Sequence, residues 1–199
     1  MGRTAIITGI SGQDGSYLAK LLLDKKYRVI GIRRLNTTPD LWRFSELGIN
    51  QEVEMLDLDL QDKEQIIATL QKIKPDEIYN LGDQSSVQES FYSPADAAKY
   101  SGFNALLLLE AVKETDPSIR FYQASSSEMF GASKISPQNE QTPFQPISPY
   151  GASKLTAHLG VGNFRNTYGL HASAGIMFNH ESPMTVSYTH LTLPTILLV

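Results

Sequence analysis

The chain has 199 residues, of which 41% are hydrophobic and 19% charged, so it is long enough for one domain with a buried core and too apolar for a disordered chain. It contains no cysteine, which excludes disulfides, thiolate catalysis and zinc–sulfur sites, and its formal net charge of −4 provides no basic footprint for nucleic acid. No signal peptide is recognisable and no apolar run approaches the roughly 18 residues of a membrane helix, so we expect a cytoplasmic protein.

Short apolar runs alternate with segments of helical spacing along the chain. The pattern predicts strands at 3–8, 28–33, 52–58, 76–81, 119–125 and 171–178, and helices at 16–26, 63–73, 95–114 and 148–169. This alternation is typical of an α/β fold, and it predicts a Rossmann-like, doubly wound parallel sheet of about six strands with helices on both faces. Ligands of such sheets bind beyond the carboxyl ends of the strands, so the residues after each strand are the candidates for function.

A glycine-rich turn, TGISGQDGSYL, follows the first predicted strand. Gly9, Gly12 and Gly15 are spaced three apart at a strand-to-helix junction. Glycine allows a sharp turn and a close backbone approach to phosphate, and the helix N-terminus offers free N–H groups to an anion. The motif therefore predicts a pyrophosphate site, although its G-x-x-G-x-x-G spacing differs from the common fingerprint. The alternative is a glycine-rich turn that binds no ligand.

Charged residues follow the second, third and fourth strands. Arg33 and Arg34 follow the second strand, where arginine suits a ribose 2′-phosphate, so NADP is favoured over NAD. The alternative is a solvated basic pair. The segment DLDL (57–60) follows the third strand, where an aspartate can meet the adenine. In NLGDQSS (80–86), small residues would let the cofactor cross the sheet edge, but Asp83 adds a negative charge near an anionic ligand.

Tyr150 and Lys154 stand four residues apart in SPYGASKL (148–155), which predicts the start of a helix with both side chains on one face. A free tyrosine has a pKa of about 10, and a nearby ammonium together with a cationic nicotinamide would favour the phenolate. That phenolate could take a proton from a sugar hydroxyl while hydride leaves for the nicotinamide. The alternative is a coincidental pair, because this spacing often arises by chance.

The fifth strand ends in ASSSEMFG, which places Ser125, Ser126, Ser127 and Glu128 at the predicted cleft. A serine there can hydrogen-bond a substrate oxygen, and a glutamate could abstract the proton next to a new ketone, which is elimination chemistry. The alternative is a helix-capping cluster. No nucleophile elbow or P-loop motif occurs, and the four histidines are scattered without metal-ligand spacing, so we predict no metal site.

Together these motifs resemble the extended short-chain dehydrogenase/reductases of the NAD-dependent epimerase/dehydratase family, and among them the GDP-mannose 4,6-dehydratases. The resemblance covers residues 3–183. The matching segments are TGISGQDGSYL, YNL with QSSV, FYQASSSEMFG, SPYGASKL, YGL and FNHESP. Of these, GQDGSYL and FNHESP are much more specific than Y-x-x-x-K.

The resemblance implies a lyase that converts GDP-mannose to GDP-4-dehydro-6-deoxy-mannose, a step toward GDP-fucose and other deoxyhexoses, with NADP regenerated in each turnover. Tyr150 would take the proton of the 4-hydroxyl, Glu128 the C5 proton, and Ser126 would assist the loss of water from C6. Lys154 would orient the ribose and tune Tyr150. The implied cofactor contacts are Gly9, Gly12, Gln13, Asp14, Gly15, Arg33, Arg34, Asp59, Leu60, Leu81, Gln84, Ser85, Tyr150, Lys154 and His180, and the implied substrate contacts are Ser85, Ser126 and Asn179.

The sequence departs from the family pattern at several positions. The family usually has alanine near Asp83, histidine near Ser86 and tyrosine near Asp96. FNHESP is normally followed by a basic pair, which Met184 and Thr185 replace. We expect an NADP-binding domain with the catalytic residues at 1–183, a truncated or foreign tail at 184–199, and a small C-terminal substrate domain that is largely missing.

Two competing interpretations remain open. One is another nucleotide-sugar epimerase or reductase of the same superfamily. Glu128 distinguishes a dehydratase from an epimerase, because an epimerase needs no base at C5. The other is an inactive nucleotide-binding fragment. The family resemblance also suggests a homo-oligomer for the full-length protein.

Overall fold

Six parallel strands form one sheet in the part of the chain that a computed structural model describes, residues 2–35, 37–38 and 40–185. They are β1 (Thr4–Thr8), β2 (Arg28–Arg33), β3 (Glu54–Asp57), β4 (Glu77–Asn80), β5 (Arg120–Ser126) and β6 (Ala172–Met177). Their order in the sheet is β3-β2-β1-β4-β5-β6, and every neighbouring pair is parallel. This is the doubly wound order of dinucleotide-binding folds, so the predicted fold is confirmed.

Helices connect the strands. They are α1 (Gln13–Asp24), α2 (Trp42–Leu47), α3 (Lys63–Ile73), α4 (Val87–Tyr92), α5 (Pro94–Ala97), α6 (Asn104–Thr115) and α7 (Pro149–Tyr168), with a π-helical segment at Ala98–Phe103 and a 3₁₀ turn at Ser127–Met129. The helix predicted over 95–114 is therefore a run of α5, the π-helical segment and α6. The short helices α2 and α4 were not predicted from the sequence.

The two faces of the sheet carry separate hydrophobic cores. Successive side chains of a strand point to opposite faces. On β1, Ala5 and Ile7 pack with the buried residues of α1 and α2, whereas Ile6 packs with those of α3, α6 and α7. The same alternation on β2 places Val29 on the first face and Ile30 on the second. A strand that is buried on both faces forms a nearly continuous apolar run in the sequence, and such runs predicted β1 and β2 close to their observed bounds.

The ends of α7 are defined by local chemistry. The Ser148 hydroxyl accepts a hydrogen bond from the Gly151 N–H at 3.0 Å, and Pro149 occupies the first turn, where its missing N–H costs nothing. At the other end Gly169 adopts φ of +71°, a conformation that suits glycine at a helix terminus. Because the cap fixes where α7 begins, it also fixes the position of Tyr150 in the first turn.

No helix in the described residues is long and apolar enough to cross a membrane. Most of the segment predicted as a truncated or foreign tail, residues 186–199, lies outside the described residues. The first two residues of that segment contact α2 and α1. The Met184 carbonyl accepts a hydrogen bond from Arg43 on α2, and the Thr185 hydroxyl donates one to Gln13 at the start of α1.

Candidate active site

A cleft of about 1260 Å³ opens at the carboxyl ends of the strands. Pockets for drug-sized ligands span roughly 300–1000 Å³, so the cleft suits a larger molecule such as a dinucleotide. The predicted site residues that line it are Gly9, Gly12, Gln13, Asp14, Gly15, Arg33, Arg34, Asp59, Leu60, Leu81, Ser85, Ser126, Tyr150, Lys154, Asn179 and His180. Gln84 and Glu128 are not among the lining residues. The sheet edge thus brings together most of the residues that the sequence singled out.

The glycine turn after β1 is a tight backbone cradle. The Gly12 N–H donates to the Gly9 carbonyl at 3.0 Å, and Gly9 adopts φ of +67°. A Cβ on Gly15 would lie 2.4 Å from the Gly9 carbonyl oxygen, and a Cβ on Gly9 would lie 2.7 Å from the Gly82 Cα. Side chains are therefore excluded at both positions. Gly12 caps α1 without any side-chain acceptor, so the first N–H groups of the helix face the cleft and fit a pyrophosphate.

The two predicted phosphate-binding arginines have different partners. The Arg33 guanidinium binds the Asp57 carboxylate through Nε and Nη2, the latter at 2.7 Å, and this bond lowers the pKa of Asp57. Arg34 instead stacks its guanidinium 4.3 Å from the centre of the Tyr100 ring. Stacking leaves the N–H edge of Arg34 available to an anion. Of the two arginines, Arg34 is the better placed to donate hydrogen bonds to a 2′-phosphate.

A third arginine, which the sequence did not single out, also lines the cleft. Arg43 is 7% exposed, and its guanidinium donates to the Met184 carbonyl at 3.0 Å and to the Ser11 carbonyl at 3.2 Å. It stacks 4.5 Å from the centre of the Trp42 ring. Its positive charge therefore lies directly beside the glycine turn, where it complements an anionic ligand. Only the tertiary contacts of Arg43 show that it belongs to the cleft, because α2, on which it lies, was not predicted from the sequence.

The segment after β6 docks on the first turn of α1. The His180 ring lies between the Phe178 carbonyl, 2.7 Å from Nδ1, and the Asp14 carboxylate, 2.8 Å from Nε2. The carbonyl first, and the carboxylate next, raise the pKa of His180 above its ordinary value, because both favour the imidazolium. Gln13 adds a 3.4 Å bond to the His180 carbonyl. These contacts bring Asn179 and His180 to the glycine turn and the start of α1.

Tyr150 and Lys154 lie on the cleft side of α7, as their spacing predicts. Lys154 is 3% exposed and Tyr150 is 8% exposed. The Lys154 ammonium lies 5.6 Å from the centre of the Tyr150 ring, donates to the Ala124 carbonyl at 2.8 Å and contacts the Asp83 carboxylate. The nearby ammonium favours the ionised form of the phenol, whereas burial of the phenol opposes it.

Ser126 and Glu128 occupy the end of β5 and the 3₁₀ turn. The Ser126 hydroxyl lines the cleft and also accepts the Glu128 N–H at 3.2 Å, so it caps this turn. Glu128 is half-buried, and a Cβ on Gly151 would lie 2.6 Å from its carbonyl oxygen, so the turn packs against the start of α7. The structure therefore packs the Glu128 backbone against Gly151 at the start of α7, and Glu128 is not among the residues that line the cleft.

The neighbouring Ser125 has a partner of its own. Its hydroxyl lies 2.9 Å from Nδ1 of His158, and burial lowers the pKa of His158, which favours the neutral ring that can accept this proton. Gln84, by contrast, turns away from the cleft. Its amide donates to the Ser86 carbonyl and to Glu89, both at 3.0 Å, and so organises the start of α4.

A buried chain of hydrogen bonds links the strand ends below the cleft. The Thr8 hydroxyl accepts the Gly82 N–H at 2.9 Å and donates to Asn80 at 2.6 Å. Asn80 in turn donates to Gln123 at 2.7 Å, and Gln123 donates to the Ala124 carbonyl at 3.0 Å. That carbonyl is the one that accepts from Lys154. The chain therefore ties the glycine turn to the ammonium across three strands.

The sequence profile described as GDP-mannose 4,6 dehydratase matches residues 6–196. The chain belongs to this family. The GDP-mannose 4,6-dehydratase of Vibrio cholerae is 44% identical over 190 residues, which are 92% of this chain and 51% of that protein. The GDP-mannose 4,6 dehydratase of Homo sapiens is 47% identical over 187 residues, 90% of this chain and 50% of that protein. The chain spans about half the length of these curated relatives.

Solved structures of related dehydratases and epimerases share the fold. A UDP-glucose 4-epimerase from Thermotoga maritima superposes with a TM-score of 0.83 at 25% identity over 93% of this chain and 58% of that one. A dTDP-glucose 4,6-dehydratase from Streptomyces venezuelae, solved with NAD, gives a TM-score of 0.83 at 21% identity over 98% of this chain and 62% of that one. Both structures therefore share their fold with nearly all of this chain.

Proposed function

We propose that this chain carries the cofactor-binding and catalytic part of a GDP-mannose 4,6-dehydratase, which forms GDP-4-dehydro-6-deoxy-mannose. The observation that carries the proposal is the convergence of Tyr150, Lys154 and Ser126 on one cleft with the glycine turn, in a chain 44% to 47% identical to curated dehydratases. The arrangement holds a proton acceptor beside a site that fits a dinucleotide. Glu128, half-buried at the same strand end, is the residue that separates elimination from simple oxidation.

The chemistry assigned to the chain's own residues follows from their positions. A bound nicotinamide dinucleotide would accept hydride from C4 of the sugar and return it to C6. Tyr150 takes the proton of the 4-hydroxyl, and the Lys154 ammonium stabilises the phenolate that does so. Glu128 removes the proton at C5 once C4 is a ketone, after a movement that brings its carboxylate into the cleft. Ser126 donates a hydrogen bond to the C6 oxygen, which leaves as water with the proton that Glu128 took from C5. When hydride returns to C6, C5 takes up a proton from solvent, and Tyr150 releases to solvent the proton that it took from the 4-hydroxyl.

NADP is proposed as the dinucleotide. The support is positive charge beside the predicted ribose end of the cleft, where Arg34 presents a stacked guanidinium and Arg43 lies against the glycine turn. A 2′-phosphate gains charge-assisted hydrogen bonds from such groups, whereas a 2′-hydroxyl gains little from them. The Arg33–Asp57 pair gives weaker support for NADP, because the Asp57 carboxylate offsets the charge of Arg33.

The proposal also includes a cytoplasmic location and a homo-oligomeric state for the full-length protein. The support for oligomers is a set of large apolar side chains exposed on α4, the π-helical segment and α7, namely Phe91, Tyr92, Phe103 and Leu159. Analytical ultracentrifugation of the complete protein tests this point. A monomer at micromolar concentration would contradict it.

The test of the function combines binding with turnover. Calorimetry should show NADP binding to the chain, and incubation with GDP-mannose and NADP should give a dehydrated 4-keto sugar nucleotide with no net NADPH. Tyr150→Phe should abolish turnover while NADP still binds. Glu128→Gln should instead accumulate NADPH with the 4-keto sugar, because elimination stops before an acceptor for the hydride forms.

Other outcomes of the same experiment favour the alternatives. Stoichiometric consumption of added NADPH would indicate a reductase, and an epimerised sugar nucleotide that keeps its C6 hydroxyl would indicate an epimerase. The second candidate function is a nucleotide-binding module without turnover, which the coverage of only about half of each curated relative favours. NADP binding together with no product from GDP-mannose would support that candidate over the first.

A further inference from the structure

The Lys154 ammonium and the Asp83 carboxylate form a buried ion pair at the floor of the cleft. The two groups are in contact, and their side chains are 4% and 9% exposed. Moving an isolated charge out of water is costly unless an opposite charge or hydrogen bonds compensate for it. Among the described residues, the only carboxylate within ion-pairing distance of Lys154 is that of Asp83. The Ala124 carbonyl supplies a further, neutral acceptor.

Asp83 is held in this position by the backbone on its amino-terminal side. The neighbouring Gly82 donates its N–H to the Thr8 hydroxyl at 2.9 Å. A Cβ on Gly82 would lie 2.9 Å from the Gly9 backbone nitrogen, so this loop packs directly on the glycine turn. The backbone next to Asp83 is therefore held where the glycine turn and α7 meet, and from there the carboxylate contacts Lys154.

We propose that Asp83 is the counter-ion of Lys154 and that its negative charge raises the pH at which the phenol of Tyr150 ionises. The proposal rests on the function proposed above, in which Tyr150 is the base. The ammonium lies 5.6 Å from the centre of the Tyr150 ring and favours the phenolate. A carboxylate in contact with that ammonium offsets its field at the ring. Asp83 is thus a positioning and tuning residue, which acts on the sugar hydroxyl only through Lys154 and Tyr150.

Other titratable and charged groups lie on α7 and on the elements that pack against it. The elements that pack against α7 are β5, β6, α4, α5, α6, the π-helical segment and the 3₁₀ turn. Besides Tyr150 and Lys154, their titratable and charged groups, with those of α7 itself and of the segment after β6, are Glu89, Tyr92, Asp96, Lys99, Tyr100, Glu110, Lys113, Glu114, Arg120, Tyr122, Glu128, His158, Arg165, Tyr168, His180 and Glu181. Glu89 accepts from Gln84, His158 bonds to Ser125 and His180 bonds to Asp14. Asp83 is the group whose charge acts directly on the ammonium.

The test reads the ionisation of Tyr150 itself. Phenolate absorbance is followed against pH in the chain and in its Tyr150→Phe variant, and the difference isolates this tyrosine. The pair of titrations is repeated with Asp83→Asn. We expect the midpoint for Tyr150 to fall by about one pH unit, since the ammonium is no longer offset. Asp83→Glu, which keeps the charge, should leave the midpoint within a few tenths of a unit.

The surface pair of Lys20 and Asp24 provides a control. Its atoms lie 2.6 Å apart on an exposed face of α1, and Asp24→Asn removes the same charge from a Lys–Asp pair that lies outside the cleft. This change should not move the midpoint of Tyr150. An unchanged or higher midpoint in Asp83→Asn would overturn the proposal.

A folding defect is also informative. If Asp83→Asn fails to fold, the double variant Lys154→Met/Asp83→Asn removes both charges and should fold, because no buried charge is left uncompensated. Failure of the double variant as well would overturn the counter-ion assignment. The titration needs neither cofactor nor substrate, so absent turnover would contradict the proposed function without touching this result. In an active protein, the acid limb of kcat/KM should move with the titration midpoint.

Discussion

The Arg33 guanidinium and the Asp57 carboxylate form a two-pronged ion pair between the ends of β2 and β3, with Nη2 2.7 Å from Oδ2. Directly beside it, Arg34 is held by stacking on Tyr100. The two arginines of one sequence motif therefore contribute unequally to the cleft. One is largely neutralised by a carboxylate, whereas the other keeps its charge available.

This inequality predicts how the cofactor preference responds to mutation. Arg34→Gln should lower the ratio of NADP to NAD affinity about tenfold, which corresponds to roughly 1.4 kcal/mol, because a charge-assisted contact to the 2′-phosphate is lost. Arg33→Gln should lower the ratio about threefold at most, since Asp57 already offsets its charge. Calorimetric titration with both dinucleotides measures the ratio.

The matched control for these variants lies on the same two strands. Arg28 binds Glu54 through two hydrogen bonds of 2.7 and 2.6 Å, but at the end of the sheet away from the cleft. Arg28→Gln should leave the affinity ratio unchanged. A larger loss from Arg33→Gln than from Arg34→Gln would contradict the assignment of the 2′-phosphate to Arg34.

Local patterns predicted the parts of this fold that depend on local physics. The bounds of β2 and α3 agree with the prediction because apolar periodicity, and for α3 the Asp62 cap and the following Pro75, mark them in the sequence. The interruption of the predicted helix 95–114 was missed. The π-helical segment lies where this run packs closely on α7, since a Cβ on Gly102 would lie 3.3 Å from the Ser153 carbonyl oxygen.

The site divides in the same way. Motif spacing predicted the cradle and the pairing of Tyr150 with Lys154, because a strand-to-helix turn and one helix face are local features. No local signal could show that Arg43 reaches the Ser11 carbonyl or that Asp83 contacts Lys154. Both contacts are made by residues far apart in sequence, and each depends on how the loops after separate strands converge at the sheet edge.

The pair of His180 and Asp14 predicts a pH dependence. The folded-state pKa of His180 is raised above 6.5, chiefly by the Phe178 carbonyl and then by Asp14. The stabilisation from this imidazolium is therefore fully present below about pH 6.5 and is lost as the pH rises through the raised pKa. NMR titration of the His180 ring should show a pKa above 6.5. Asp14→Asn should lower that pKa only partly, since the Phe178 bond remains.

His158 serves as the internal reference in the same NMR experiment. Burial lowers the pKa of His158, so its ring should titrate below 6.5 and should not respond to Asp14→Asn. A His180 ring that titrates at or below the His158 value would show that the segment after β6 does not dock on α1.

The hydrogen-bond chain through Asn80 predicts a large cost for its removal. Asn80 is 3% exposed and bonds to both Thr8 and Gln123. Asn80→Ala removes the acceptor of the Thr8 hydroxyl hydrogen and the donor to the Gln123 side-chain oxygen, both buried, so the free energy of unfolding should fall by about 2–4 kcal/mol. Urea denaturation measures it. Asn50→Ala is the control, because Asn50 is exposed and makes one bond, to Ser45, and it should cost within about 0.5 kcal/mol.

The glycines should respond to substitution by alanine according to the space around each. Gly15→Ala forces a methyl group to within 2.4 Å of the Gly9 carbonyl oxygen, so the turn must move and both NADP binding and stability should be lost. Gly12→Ala places its methyl 3.2 Å from the same oxygen, so the turn needs to shift only slightly and binding should weaken less. Gly162 lies inside α7, and a methyl group on it would meet no atom within 4 Å apart from its own helix backbone. Gly162→Ala should therefore raise the free energy of unfolding by about 0.5–1 kcal/mol. Thermal denaturation with and without NADP separates the two effects. Equal losses at Gly12 and Gly15 would contradict the geometry of the cradle, because only the methyl group at Gly15 collides with the backbone.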